Sequence, residues 1–195
     1  MAHNNIEIEI QVQVERVEPL IAFLKAHATF RKETHQIDEY FSSKDEDKDF
    51  LKTRPVKEWL RVREANGTAS MNYKDWQYDA QGKSQYCTEY ETKIEDASQV
   101  RNIFKALYFK SIAVVDKHRT IYSFKDYEIS IDSVRDLGEF VEIEYCGFEN
   151  VTDPKRATDD MVAFLKEIGC GKITRNYLGY PFMILFPDEA TYEEV

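Results

Sequence analysis

The sequence predicts an α+β fold: an eight-stranded antiparallel β-barrel with helices packed on its outside. Three observations carry that reading. Ile6-Glu7-Ile8-Glu9-Ile10-Gln11-Val12-Gln13-Val14 alternates apolar and polar residues strictly, the mark of a strand with two unlike faces. Its apolar residues are all β-branched, which favours strand over helix. The same alternation returns at Val141-Glu142-Ile143-Glu144, and turn signals such as Asn66-Gly67 join neighbouring runs as antiparallel hairpins.

The elements follow in order. After the strand ending at Val14, Pro19 to Ala28 reads as a short amphipathic helix with Leu20, Ile21, Phe23 and Leu24 apolar and Pro19 at a tolerated start. Thr34 to Ser42 reads as a strand, and Lys44 to Lys52 as a charged loop or short helical excursion. Trp59 to Glu64 and Ser70 to Trp76 form a hairpin about Asn66-Gly67, and Tyr86 to Ile94 is a further strand. Ser98 to Tyr108 reads as a helix capped by Ser98, with Val100, Ile103, Phe104 and Leu107 on its apolar face. Ile112 to Tyr122, Tyr127 to Val134 and Glu139 to Tyr145 are strands, turned at Asp126-Tyr127 and at Asp136-Leu137-Gly138. Thr158 to Ile168 is a helix with Met161, Val162, Phe164, Leu165 and Ile168 on one side. Beyond Gly171 the pattern assigns no element.

The chain of 195 residues suits a single domain, residues 1–195, with a sizeable core. No apolar run approaches the roughly 20 residues that cross a bilayer, and no basic segment followed by an apolar one opens the chain, so a cytoplasmic location without a membrane partner is expected. Cys87, Cys146 and Cys170 form no CxxC pair, which argues against a disulfide framework and predicts three buried or half-buried thiols. The net charge of −10 disfavours general nucleic-acid binding, which needs a basic footprint. It leaves a local basic pocket open.

Alternation sorts the charges. Glu7, Glu9, Glu142 and Glu144 share the polar faces of the first and last strands, and Asp132 lies on a neighbouring one. Carboxylate oxygens suit hard cations such as Mg²⁺ or Mn²⁺. Arg61, Arg63, Lys74, Lys117 and Arg119 lie on the polar faces between and are the candidate phosphate contacts, Arg as a planar fork and Lys as a point charge. If the apolar faces turn outward beneath the helices, the charges turn inward, where they must pair or coordinate ions. The same pattern also occurs on the solvent side of a half-exposed sheet, and cross-strand ion pairs are a common surface device. Glu89-Tyr90-Glu91 reads as charge balance for the arginines, Lys83 as a lid or a solvated lysine, and His118 as facing away from Lys117 and Arg119. The chain has no GxxxxGK[ST], GxGxxG or GxSxG motif, so phosphate binding would rest on side chains.

Taken together these segments resemble the CYTH family, the triphosphate tunnel metalloenzymes, and its class IV adenylate cyclase-like branch. Glu7-Ile8-Glu9-Ile10-Gln11 resembles the family's opening ExExK, and Gln36-Ile37-Asp38-Glu39-Tyr40-Phe41 the QxDxYF of the cyclase-like branch. Leu60 to Glu64, Asn72-Tyr73-Lys74, Phe109 to Arg119, Ile131-Asp132, Leu137 to Glu144 and Asn176-Tyr177-Leu178 follow in the family's order. The resemblance implies an eight-stranded tunnel holding a triphosphate-bearing small molecule and Mg²⁺ or Mn²⁺. Glu7, Glu9, Glu142 and Glu144, with Asp132, would serve the metal. Arg61, Arg63, Lys74, Lys117, Arg119 and Gln11 would contact phosphate, and Glu7, Glu9, Lys74 and Arg119 form the expected catalytic set.

Two departures stand out: Gln11 replaces the motif's lysine, and Cys87-Thr88 occupies the place where an arginine often precedes the Glu89 strand. The expected activity is hydrolysis of an inorganic or organic triphosphate. The alternatives are conversion of ATP to cyclic AMP and pyrophosphate, and binding of a polyphosphate or nucleotide without turnover. An apolar outer surface would suit a homodimer.

Overall fold

The computed structural model describes residues 6–147 and 153–195. Its strands are β1 (Ile6–Glu7), β2 (Glu9–Val14), β3 (Thr29–Ser43), β4 (Glu58–Ala65), β5 (Thr68–Tyr78), β6 (Ser84–Ile94), β7 (Phe109–Phe124), β8 (Tyr127–Val134), β9 (Gly138–Tyr145), β10 (Ile173–Arg175) and β11 (Glu193–Glu194). Its helices are α1 (Glu18–His27), α2 (Ala97–Ala106), α3 (Pro154–Ile168) and α4 (Tyr180–Leu185), and two 3₁₀ turns occupy Glu46–Lys48 and Phe50–Lys52.

The strands form one antiparallel sheet in the order β1-β6-β5-β4-β3-β7-β8-β9-β2-β10-β11. Eight strands were expected and eleven are present among the described residues, because the N-terminal run divides at Ile8 and the last segment adds β10 and β11. The pairing order is an open ladder, with β1 against β6 and β2 against β9. Tyr145 N–H donates to the Ile8 carbonyl at 3.0 Å, which carries the β9 contact across the break between β1 and β2.

Side-chain alternation places the core outside the charged face. Ile8, Ile10 and Val12 meet Ile129, Val141 and Ile143 beneath Leu20 and Leu24 of α1 and Met161 and Leu165 of α3. On another flank, Ala97 and Phe104 of α2 cover Phe41 and Val62. A third cluster lies at one end of the charged face, where Tyr180, Phe182 and Met183 of α4 pack against Tyr40, Trp59, Val115 and Phe140.

Several local expectations are corrected. The α2 cap is Asp96, whose carboxylate accepts from the Ser98 and Gln99 N–H groups; Ser98 is already inside the helix. Ile103 of α2 and Leu107, the residue just after it, are exposed, because the helix turns Phe104 and Ala97 to the sheet. The β7–β8 turn is Lys125-Asp126, with Tyr127 already paired to Phe124 and Lys125 at φ 53°. Cys87 and Cys170 are buried thiols, whereas Cys146 is exposed. Asn66 (φ 48°) and Gly67 (φ 79°) adopt the left-handed conformations that a two-residue hairpin requires, as their sequence predicts.

Leu165→Ala removes a fully buried side chain between α3 and β2/β9, and a loss of about 2–5 kcal/mol in unfolding free energy is expected from urea titration.

Candidate functional site

The inward faces of the strands line a cavity of about 760 Å³. Arg61, Arg63, Lys74, Lys117, Arg119, Glu7, Glu9, Gln11, Glu142 and Glu144 all line it, so the structure brings together every candidate residue named from the sequence except one. The exception is Asp132, which lies on the same strand face but is fully buried among its neighbours and does not reach the cavity surface.

Two buried aspartates organise the cations. Asp38 on β3 lies opposite Arg63 on β4 and takes two parallel hydrogen bonds from it, Nε to Oδ1 at 2.6 Å and Nη2 to Oδ2 at 2.7 Å. Arg61 donates a longer bond, 3.4 Å, to the same carboxylate. Burial by itself would raise the Asp38 pKa, but the charges of Arg61 and Arg63 override it and hold the carboxyl well below its ordinary value. Asp132 on β8 lies opposite Arg119 on β7 and accepts from its Nε at 2.6 Å and Nη2 at 2.5 Å. Lys117 Nζ at 3.1 Å and the Tyr180 hydroxyl at 2.8 Å complete its shell. Both oxygens of Asp132 are therefore engaged by Arg119, Lys117 and Tyr180. Arg119 also reaches Glu142 at 2.8 Å. Burial, with the nearby Arg119 charge, brings the Lys117 pKa down to about 8.

The opposite wall is acidic. Glu9 on β2 lies directly across from Glu144 on β9, and Glu144 directly across from Glu128 on β8. This row of three carboxylates crosses three adjacent strands, and like charges in such positions repel. Burial and the neighbouring Glu9 push Glu144 up to about 8. Lys74 approaches Glu7 at 2.8 Å, Glu9 at 3.6 Å and Glu89 at 3.9 Å. Burial, reinforced by Glu9, keeps the Glu7 pKa well above its ordinary value despite the Lys74 charge. Glu89 also accepts from Asn72.

Glu7, Glu9, Glu142 and Glu144 thus offer only carboxylate oxygens, and Glu9 and Glu144 share one half-buried patch. That donor set fits a hard divalent cation. Among the described residues no three ligand side chains converge on a ready-made centre; Lys74 occupies the space among the acids.

Gln11 lies opposite Glu142, and its Oε1 is buried without a hydrogen-bond partner among the described residues. Gln36 Oε1 and Arg61 Nε are in the same condition. His118 faces outward as expected, stacked on His35 at 4.5 Å. Lys83 is not free: it pairs with Glu193 at 2.5 Å and lies 5.3 Å from the Tyr177 ring.

Sequence reading did not single out Glu128, which lines the cavity, or Tyr180, which donates to Asp132. Glu128 had a findable signal, being on the same face as Asp132 at a spacing of four in a strand. Tyr180 had none, since its contact with Asp132 spans 48 residues.

One face of an antiparallel sheet thus lines a single cavity with a cationic wall and an acidic wall. The CYTH domain model matches residues 5–177, and the chain belongs to the CYTH domain family. That family consists of enzymes, adenylate cyclase-like and triphosphatase members among them, that use divalent metals on triphosphate substrates. The chain is 34% identical over 177 residues to a Methanocaldococcus jannaschii protein named "Putative adenylate cyclase"; the match covers 89% of this chain and 97% of that protein. A Pyrococcus horikoshii structure superposes with a TM-score of 0.70 at 26% identity, covering 86% of this chain and 92% of the other. A Hippeastrum structure described as a "putative adenylyl cyclase" with a dominant triphosphatase activity shares the fold at a TM-score of 0.61 and 20% identity, covering 93% and 95% of the two chains. No helix among the described residues is long and apolar enough to cross a membrane.

Asp38→Asn leaves Arg61 and Arg63 buried without their counter-charge, and a loss of about 3–5 kcal/mol is expected. The folded pKa of Asp38 is depressed, so its contribution is complete above the unfolded value near 4 and is lost as the pH falls. Denaturation followed from pH 7 to pH 3 will therefore show a shallower acid-side decline in the variant than in the parent protein.

Proposed function

We propose that this protein is a divalent-metal-dependent enzyme that hydrolyses a triphosphate substrate inside the cavity. The observation that carries the reading is the joint lining of one 760 Å³ cavity by Arg61, Arg63, Lys117 and Arg119 on one side and by Glu7, Glu9, Glu142 and Glu144 on the other. The unpartnered Arg61 Nε supports it, because a buried donor without an acceptor suits an anionic ligand. We also propose that the sheet closes round the cavity as a tunnel. The β1 and β2 pairings, to β6 and β9 on either side of Ile8, and the Lys74 contacts to Glu7 and Glu9 support closure.

In this mechanism Arg63 and Arg119 are presented rigidly, each gripped on its far side by a buried aspartate. Such preorganised donors stabilise charge developing on the phosphate chain without reorienting during reaction. Lys117 adds a point charge beside Arg119. Glu7, Glu9, Glu142 and Glu144 would hold Mg²⁺ or Mn²⁺; that ion would neutralise phosphate charge and lower the pKa of bound water. Asp132 acts as a positioning residue for Arg119 and Lys117. Lys74 holds the acidic wall together, and Gln11 offers a neutral hydrogen-bonding group where the family motif has lysine.

The named M. jannaschii relative favours a second reading, cyclisation of ATP with release of pyrophosphate. A turnover screen with Mg²⁺ or Mn²⁺ on inorganic triphosphate, ATP and thiamine triphosphate distinguishes the two. Orthophosphate release that vanishes on chelation and in Glu9→Gln is expected. Cyclic AMP with pyrophosphate would move the assignment to the cyclase; tight triphosphate binding without either product would make this a binding protein. Arg63→Ala is expected to lower kcat/KM by about 10²–10³-fold, the scale for losing one preorganised donor.

A further inference from the structure

Strands β3 and β7 carry polar residues on both faces. Gln36, Lys117 and Arg119 line the cavity, so their sequence neighbours His35 and His118 stand on the outer face. The two histidines lie directly opposite one another across the strand pair. Their rings are stacked, with centroids 4.5 Å apart and planes inclined by 12°, and both are exposed.

Asp116 shares that outer face on β7 and lies opposite Ile37. Its Oδ1 is 2.6 Å from His35 Nε2, and its Oδ2 is 2.8 Å from Arg135 Nη1. A carboxylate only accepts, so Nε2 carries the hydrogen and the neutral ring keeps its lone pair on Nδ1. A metal-binding histidine is commonly held in this way: one nitrogen donates to a carboxylate, which orients the ring and raises the basicity of the other.

We infer that His35 Nδ1 and a ring nitrogen of His118 form a metal site separate from the cavity, for a transition ion such as Zn²⁺, with Asp116 as the positioning residue for His35. Among the described residues no three ligand side chains converge, so the protein supplies two ligands and water the others. Zn–N bonds of about 2.0–2.1 Å place two bound nitrogens roughly 3.3 Å apart, so the rings tilt towards each other from their stacked arrangement. Donor chemistry separates this site from the cavity, since imidazole suits Zn²⁺ whereas carboxylate oxygens suit Mg²⁺ or Mn²⁺. A bound ion ties β3 to β7 directly behind Gln36, Lys117 and Arg119, and stabilises that pairing by mass action.

The test is a Zn²⁺ titration of the full chain in excess Mg²⁺, followed by the histidine ring ¹⁵N signals and by calorimetry. The His35 and His118 signals are expected to shift together and to saturate at one ion per chain. His118→Gln should weaken that binding at least tenfold and Asp116→Asn about 10–100-fold, the scale for losing the carboxylate behind a ligating histidine, while Glu9→Gln leaves it within about twofold. Zn²⁺ should raise the melting temperature of the parent protein and not that of His118→Gln, with the two proteins alike when metal is absent. Unchanged affinity in His118→Gln, separate titration of the two rings, or no shift in the parent protein would overturn the site. Loss of the histidine shifts in Glu9→Gln would overturn it too, by placing the ion in the cavity. Parental affinity in Asp116→Asn would overturn the role given to that carboxylate.

Discussion

The structure depends on keeping opposed charges paired inside a sheet. Arg61, Arg63, Lys117 and Arg119 line one cavity, where their mutual repulsion is poorly screened. Asp38 and Asp132 make this arrangement stable by gripping the cations from behind, each through a two-point bond to one arginine. The grip depends on register: Asp38 is directly opposite Arg63, and Asp132 directly opposite Arg119. A shift of one residue in either pair would turn an aspartate outward and leave its arginines unmatched.

The same alternation organises the remainder of the molecule. Because Glu7, Glu9, Glu142 and Glu144 point inward, Ile8, Ile10, Val141 and Ile143 must point outward, and α1 and α3 bury them. The hydrophobic core and the charged cavity are thus the two faces of the same strands. On the acidic wall the balance is incomplete, since among the described residues Lys74 alone forms ion pairs with Glu7, Glu9 and Glu89. With Gln11 neutral in place of the family's lysine, that wall retains excess carboxylate, the condition under which a divalent cation binds well.

Much of this was legible because the side-chain period of a strand is a local property. Two-residue alternation located the inward Glu7, Glu9, Arg61, Arg63, Lys117, Arg119, Glu142 and Glu144 and turned His118 outward. The hairpin at Asn66-Gly67 was legible from its residues' tolerance of positive φ. Short elements were not: β10 and β11 span three and two residues and α4 six, too few for periodicity to emerge. The α2 cap was misplaced because Asp96 and Ser98 both cap well, and only the backbone trajectory selects between them. The partners of Asp132 were not legible either: Arg119, Lys117 and Tyr180 come to its two oxygens only through strand pairing and the packing of α4.

The sequence by itself determined which residues share a face and which residue types could bind phosphate or metal, since these follow from backbone geometry and side-chain chemistry one segment at a time. Tertiary structure decided who partners whom: Asp132 with Arg119 and Tyr180, Glu9 with Glu144 and Glu128, Lys74 with Glu7 across 67 residues of chain. It also decided which polar atoms stay unpaired. Those outcomes depend on strand register and on α4 filling one end of the cavity, and both arise from packing between segments distant in sequence.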